Sequence, residues 1–156
     1  MKKIFTLIAV LFATQFQAQE VNKAIGEFST IKVFDLIEVN MIPSDENRVI
    51  VKGEDVDYVK IINDNGKLKI RMEIDRRFDG DDTFVEVYYT SIETIDANEG
   101  SFITVNETIV QDDLELRAQE GGHIKVGLDT KRLKARAVTG GILETYGSSE
   151  SQEVTL

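Results

Sequence analysis

The sequence predicts an all-β protein whose second half stacks parallel strands as a solenoid. Short segments rich in Val, Ile, Thr and Tyr alternate with polar turns along most of the chain, which is typical of strands. In the second half, a repeat brings Ala97, Ala118 and Ala137 into register at spacings of 21 and 19 residues. No segment keeps a 3.6-residue apolar period for long, so we expect little helix.

Residues 1–18 are predicted to be a secretory signal peptide. Two lysines follow the initial methionine, and an apolar stretch of about ten residues, 4–13, comes next. Such a stretch is too short to span a bilayer, which takes about twenty residues. We expect cleavage after Ala18, export of residues 19–156 to the periplasm or cell surface, and no membrane span in the mature protein. A buried N-terminal helix is the alternative.

Six strands are predicted in the first half of the chain. Asn65 and Gly66 supply the positive φ angles of a tight turn, so the strand before them is expected to form a hairpin with the strand after them. The segment Glu54 to Val59 can form one helical turn. The predicted strands are Ile31–Val33, Leu36–Ile42, Arg48–Lys52, Tyr58–Ile62, Lys67–Met72 and Thr83–Tyr89.

The repeat predicts parallel strands in register in the second half. One repeat cannot bury its apolar side alone, but stacked copies can. With a side-chain period of two, the alanine column and the column Ile95, Leu116 and Ala135 should point inward. The columns expected to point outward are Asp96, Arg117 and Arg136; Thr94, Glu115 and Lys134; and Thr104, Lys125 and Glu144. The last two columns would place opposite charges on neighbouring strands.

Composition excludes several classes of function. Cysteine is absent, which removes disulfides, thiolate metal sites and cysteine nucleophiles. The formal net charge of −10 argues against nucleic acid or an anionic membrane surface as a partner. There is a single histidine, so multi-histidine metal sites are excluded. An acidic loop around Asp79 and Asp81 fits no defined calcium loop. We therefore predict no metal site and no cofactor.

Several features occur together over the whole predicted mature chain: Phe28, Ile31, Val33, Leu36 and Val39, the strand Val49 to Lys52, the hairpin Asn65 to Ile70, Val85 to Tyr88, and the glycine-centred repeats. This pattern resembles the auto-transporter adhesin, head GIN domain family of secreted Bacteroidetes proteins. The resemblance implies a right-handed, single-stranded parallel β-helix over residues 19–156, exported to the periplasm or the cell surface. It also implies adhesion without a defined ligand, and it supplies no catalytic residues.

The end of the sequence lies within a repeat. Residues 154–156 align with the beginning of the strand that starts at Leu133. A solenoid that stopped there would present an open strand edge and an uncovered apolar stack, which favour aggregation. We therefore expect the native chain to continue for at least two more rungs.

No recognised catalytic motif is present, so the sequence predicts a noncatalytic protein that binds a surface glycan or protein. The candidate ligand-binding residues are Arg117, Arg136, Phe102 and His123, because basic and aromatic side chains hold acidic or ring-shaped glycans. Two alternatives stay open. One is a polysaccharide-cleaving enzyme in which Arg117, Arg136 and Lys134 neutralise uronates, and the other is a structural component of the cell envelope. The oligomeric state is left open.

Overall fold

The computed structural model describes residues 20–53 and 55–156. The predicted signal peptide, residues 1–18, lies outside the described residues. The described chain forms twelve strands and two single-turn 3₁₀ helices, so the prediction of an all-β protein with little helix is confirmed. The first 3₁₀ helix, Val56–Tyr58, falls where the sequence predicts one helical turn. The second is Ile74–Arg76.

The strands are short in the first half and long in the second. The six strands predicted from the sequence are present, and their ends differ from the prediction by at most two residues. The turn at Asn65 and Gly66 joins two of them as a hairpin, as predicted. The strands are β1 Glu20–Ala24, β2 Thr30–Val33, β3 Glu38–Pro43, β4 Arg48–Gly53, β5 Val59–Asp64, β6 Lys67–Met72, β7 Thr83–Tyr89, β8 Thr94–Ala97, β9 Phe102–Val105, β10 Ile109–Ala118, β11 His123–Ala137 and β12 Ile142–Thr155.

One mixed sheet contains all twelve strands, and β11 joins its two parts. On one edge, β11 pairs with β9 through residues 123–125 and with β10 through residues 128–137. Its other edge pairs with β12. Two series of strands extend from this junction. We call β10, β8, β2, β6 and β5, with the segment of β11 that pairs with β10, the first arm. The second arm is β9, β3, β7, β4 and β1, with the segment of β11 that pairs with β9 and the residues of β12 beside that segment.

The prediction of a right-handed parallel β-helix is wrong, because the sheet is mixed. At the end of the first arm, β5 pairs antiparallel with β6. At the end of the second arm, β4 pairs antiparallel with both β7 and β1. A two-residue turn can join only antiparallel neighbours, since parallel neighbours need a long crossover. The tight turn at Asn65 and Gly66 is therefore incompatible with continuous parallel rungs.

Parallel stacking of the three repeats is confirmed within this mixed sheet. Ala118 pairs in register with Ala97 on one neighbouring strand and with Ala137 on the other. The columns predicted to point inward do so, and Ile95 and Leu116 are completely buried. The period of two and the repeat spacing are thus sufficient to identify the partners of these strands.

The two predicted charge pairs between neighbouring repeats are also present. Lys134 Nζ lies 3.9 Å from a carboxylate oxygen of Glu115. Lys125 Nζ lies 3.5 Å from a carboxylate oxygen of Glu144. All four side chains are at least partly exposed, and such pairs contribute little to stability because water screens them. They confirm the register of the outward columns.

Glycine corners carry the chain from the first arm to the second. Gly121 has a φ of +77°, which favours glycine. At the next residue, Gly122, an added Cβ would lie 2.2 Å from the carbonyl oxygen of Ala97, so a side chain there would displace the backbone of the preceding repeat. Ser101 lies in the preceding corner, and its Oγ accepts a hydrogen bond from the N–H of Asn98 at 3.1 Å.

The inner sides of both arms belong to one hydrophobic core. Side chains in register on neighbouring strands form its central rows, and each of these side chains is at most 3% exposed. The rows are Leu68, Ile31, Ile95 and Leu116 on the first arm and Val85, Val39, Ile103 and Ile124 on the second. Nowhere in residues 20–53 and 55–156 is there a helix long and apolar enough to cross a membrane.

Candidate functional site

Arg117 and Arg136 are neighbours in register on the outer surface of the first arm. Arg117 donates a hydrogen bond to Glu115 Oε2 at 2.7 Å. Arg136 is exposed, and its side chain forms no hydrogen bond or ion pair within the described part of the chain. Asp96, the third member of this column, is predicted to be outward, but it is only 1% exposed. Lys32 Nζ lies 2.6 Å from its carboxylate, and this neighbour, remote in sequence, accounts for the difference.

Phe102 and His123 stack on the outer surface of the second arm. Their ring centroids are 4.6 Å apart and their planes are inclined at 35°. His123 Nε2 lies 3.1 Å from Glu144 Oε1, but the angles at this contact do not make a hydrogen bond. The imidazole therefore contacts both the Phe102 ring and the Glu144 carboxylate. The four predicted residues thus form two pairs, the two arginines on one arm and the two rings on the other.

Two further side chains extend the stacked pair into a row. Glu38 is in register with Phe102 on one neighbouring strand and with Phe84 on the other. Because neighbouring strands are about 4.8 Å apart, the two phenylalanines lie about 10 Å apart with the carboxylate between them. Phe84 is 50% exposed. We call Phe84, Glu38, Phe102 and His123 the aromatic row.

A shallow depression of about 320 Å³ lies along the aromatic row. Asn40, which also lines it, has a buried Oδ1 without a hydrogen-bond partner among the described residues. Lys52 Nζ donates a hydrogen bond to Glu86 Oε1 at 2.7 Å, and this bond raises the pKa of Lys52. The Tyr88 hydroxyl donates to the other oxygen of Glu86 at 3.3 Å. Aromatic faces and hydrogen-bonding groups therefore share one concave surface, as in many ligand sites.

Sequence reasoning missed Phe84 and Glu38 for a physical reason. Along β7, alternate residues are buried, so the period of two places Phe84 on the outer side. That signal is present in the sequence. The neighbours of β7, however, are strands distant along the chain, and alternation does not specify which strand pairs with which. The row exists only after β7, β3 and β9 are side by side.

The described residues contain no group of three or more His, Cys, Asp or Glu side chains that could hold a metal ion. In the acidic loop, Asp79 Oδ2 lies 3.9 Å from a guanidinium nitrogen of Arg76. His123 contacts one ring and one carboxylate, as described above. A ligand on the outer surface of the second arm would thus meet aromatic rings, hydrogen-bonding groups and charged groups.

Comparison with known proteins identifies the family. Residues 27–156 match the family described as "Putative auto-transporter adhesin, head GIN domain". The chain belongs to the head GIN domain family. The resemblance noted in the sequence is thus confirmed, and the aromatic row lies inside the head GIN domain. No curated protein matches the chain.

Solved structures similar to this head GIN domain support its fold. A "putative adhesin" from Bacteroides fragilis NCTC 9343 has a TM-score of 0.77 at 11% identity, over 88% of this chain and 66% of that one. A "putative adhesin" from Parabacteroides distasonis ATCC 8503 has a TM-score of 0.63 at 16% identity, over 88% and 56%. A "putative lipid binding protein" from the same organism has a TM-score of 0.61 at 11% identity, over 90% and 61%. The head GIN domain described here spans 56% to 66% of the length of these three proteins.

Proposed function

We propose that this head GIN domain is an exported, noncatalytic binding module that holds a surface polymer on the outer side of its second arm. The aromatic row carries the proposal, because it places two phenylalanine rings on either side of a carboxylate on an exposed strand surface. The family description as an auto-transporter adhesin supports a binding role. The predicted signal peptide, residues 1–18, supports export to the periplasm or cell surface.

A polymer of linked sugar rings fits the aromatic row. Sugar rings present C–H faces that pack on aromatic rings, and their hydroxyl groups donate hydrogen bonds to carboxylates. The separation of about 10 Å between the two phenylalanines corresponds to about two linked hexose rings. His123 holds the ring of Phe102 in place through the 4.6 Å stack. A ring already fixed in position loses less conformational entropy when a ligand binds.

Retention on immobilised polysaccharides tests the proposal. The panel contains a β-1,4-linked glucan, a β-1,4-linked N-acetylglucosamine polymer and mucin glycans, with and without calcium. The double variant Phe84→Ala/Phe102→Ala should lower the affinity for the retained polymer at least about tenfold, since each aromatic contact contributes roughly 1 kcal/mol. Phe78→Ala is the matched control, because Phe78 is 51% exposed and lies outside the row. Its affinity should be unchanged, and both variants should keep the wild-type unfolding temperature.

Each other outcome contradicts a stated part of the proposal. Equal retention of the double variant and the control would exclude the aromatic row as the site. Release of shortened products would replace the noncatalytic role with a polysaccharide-cleaving enzyme. No retention on any member of the panel, with binding to neutral phosphatidylcholine vesicles, would indicate a lipid ligand. No binding to either would favour a structural role in the cell envelope.

A further inference from the structure

A second surface lies on the first arm, away from the aromatic row. Strand β6 places Lys67, Lys69 and Arg71 on its outer side, and the three residues between and after them are buried. Alternate residues of a strand are about 6.6 Å apart, so these cations follow one another over about 13 Å. The strand geometry therefore produces a regular line of positive charge.

This line of charge belongs to a groove of about 490 Å³. Lys32 on β2 also lines the groove and is in register with Lys69 on the neighbouring strand. Arg77, from the segment after β6, lines it as well. Like charges directly opposite each other on adjacent strands are destabilising. We call Lys32, Lys67, Lys69, Arg71 and Arg77 the basic groove.

Other side chains neutralise only part of the charge in the basic groove. Lys32 is engaged by the buried carboxylate of Asp96, at 2.6 Å. The side chains of Lys67 and Lys69 form no hydrogen bond or ion pair with any residue that the structure describes. Arg71 donates from Nε to a backbone carbonyl at 3.3 Å, and its two terminal nitrogens make no hydrogen bond within that same part of the chain. Two ammonium groups and one guanidinium edge thus face the groove together.

The two carboxyl groups that line the groove offset only part of its positive charge. Asp35 is 2% exposed, and its oxygens accept hydrogen bonds from the N–H groups of Met72 at 3.0 Å and Phe78 at 3.4 Å. Glu99 is paired with Arg77 at 3.0 Å. Burial is the largest cause that raises the pKa of Glu99, and the neighbouring Asp35 carboxyl raises it further. Arg77 lowers it. The groove therefore keeps an excess of positive charge.

We propose that the basic groove binds the anionic groups of a linear acidic polysaccharide. A chain of sugars with repeated carboxylate or sulfate groups can meet the line of cations on β6, and the guanidinium group of Arg71 can bind such a group with two parallel hydrogen bonds. The net charge of −10 does not prevent this, because the Debye length at 0.15 M ionic strength is about 8 Å. Inside the groove, its own cations determine the potential. This site does not depend on the aromatic row.

A membrane surface fits the basic groove less well than a polymer. The segment 73–82 supplies Arg77 to the groove and contains five carboxylates against two arginines. A flat anionic bilayer would approach those carboxylates together with the cations and would be repelled by them. A single polymer chain can lie along β6 without such an approach. The observations therefore favour the polysaccharide.

Binding of the purified protein to immobilised polygalacturonate tests the proposal. The double variant Lys67→Gln/Lys69→Gln should raise Kd at least about tenfold, because it removes the two unpaired charges. Lys23→Gln/Lys131→Gln is the matched control, since it removes two exposed lysines elsewhere and the same total charge; its Kd should stay within about twofold of wild type. Lys67→Arg/Lys69→Arg keeps the charge and should keep the binding. Raising the salt concentration should weaken binding by wild type.

Three outcomes would overturn the proposal. Equal Kd values for the two glutamine variants would show that the groove is not the site. Binding to phosphatidylglycerol vesicles without binding to polygalacturonate would assign the groove to a membrane. No binding to either probe would leave the groove without the proposed ligand. Phe84→Ala/Phe102→Ala separates this proposal from the aromatic row, because it should bind polygalacturonate as wild type does.

Discussion

The first arm and the second arm carry different side chains on their outer surfaces. Successive residues in register across the first arm are Lys69, Lys32, Asp96, Arg117 and Arg136. The corresponding row of the second arm is Phe84, Glu38, Phe102, His123 and Ile142. One row is dominated by cations, and the other is dominated by rings and apolar groups.

The inner surfaces of the two arms do not differ in this way. Both consist mainly of branched aliphatic side chains, such as Ile95 on the first arm and Ile103 on the second, and both of these are fully buried. The inner rows must fill one shared core. Because side chains alternate across a strand, the outer rows can vary without disturbing that core. The comparison separates stability, which the inner rows determine, from binding, which we assign to the outer rows.

The largest expected effect tests whether the arms share one core. Ile95→Ala and Ile103→Ala each remove atoms that are completely buried, so each should lower the free energy of unfolding by roughly 2–5 kcal/mol. Urea denaturation followed by circular dichroism should show a single transition in both variants, because their contacts belong to one cluster. Lys125→Ala, on the outer surface, is the control and should stay within about 0.5 kcal/mol of wild type. Two separate transitions, one for each arm, would show that the arms do not share one core.

A smaller effect concerns a corner where the chain passes between the arms. Gly122→Ala would place Cβ 2.2 Å from the Ala97 carbonyl oxygen, and the resulting displacement should cost roughly 1–3 kcal/mol of unfolding free energy. Gly26→Ala is the matched control, because the nearest neighbour of its added Cβ would be Asn63 Nδ2 at 3.7 Å. Thermal denaturation of both variants measures the difference. If the two variants unfold at the same temperature, the corner does not constrain the packing of the arms.

The next prediction concerns Tyr89 of the second arm and the stability of the protein at alkaline pH. Burial, with a smaller contribution from Glu107, raises the pKa of Tyr89 to about 12, whereas an unperturbed tyrosine has a pKa of about 10. A folded-state pKa above the unfolded value gives stability that is present below about pH 10 and is lost as the pH rises towards 12. Wild type should lose roughly 1–2 kcal/mol more than Tyr89→Phe over that window, after allowance for solvent screening. Parallel stability curves for the two proteins would contradict this expectation.

The smallest effect is expected in acid, at the corner beside the basic groove. Because the pKa of Glu99 is raised in the folded state, the stability that this group contributes is complete below its unfolded pKa of about 4.3 and is lost as the pH rises through the folded value. Wild type should therefore become slightly less stable relative to Glu99→Gln as the pH rises above about 4.3. Urea titrations at several pH values measure this difference. If wild type instead gained stability relative to Glu99→Gln as the pH rises, the effect of Arg77 on the pKa of Glu99 would outweigh the effect of burial.

Local patterns in the sequence account for a large part of the fold. Alternation of apolar and polar residues located the strands and their inner sides, as in Lys67–Met72. The positive φ angles available to Asn65 and Gly66 located the hairpin. The repeat spacing gave the partners of Ala118 and the charge pair of Lys125 with Glu144. Each of these properties depends on residues close in sequence or on a repeated spacing, so each can be predicted without the tertiary structure.

The direction of strand pairing at the end of the second arm and the identity of distant neighbours depend on the tertiary structure. Backbone hydrogen bonds form in parallel and antiparallel ladders alike, and side-chain alternation is the same in both. Apart from the antiparallel hairpin at Asn65 and Gly66, the sequence therefore could not show which neighbouring strands run antiparallel. For the same reason, it could not place Glu38 between Phe84 and Phe102, or Lys32 over Asp96. These contacts join strands far apart in sequence, and only the packing of both arms around one core brings them together.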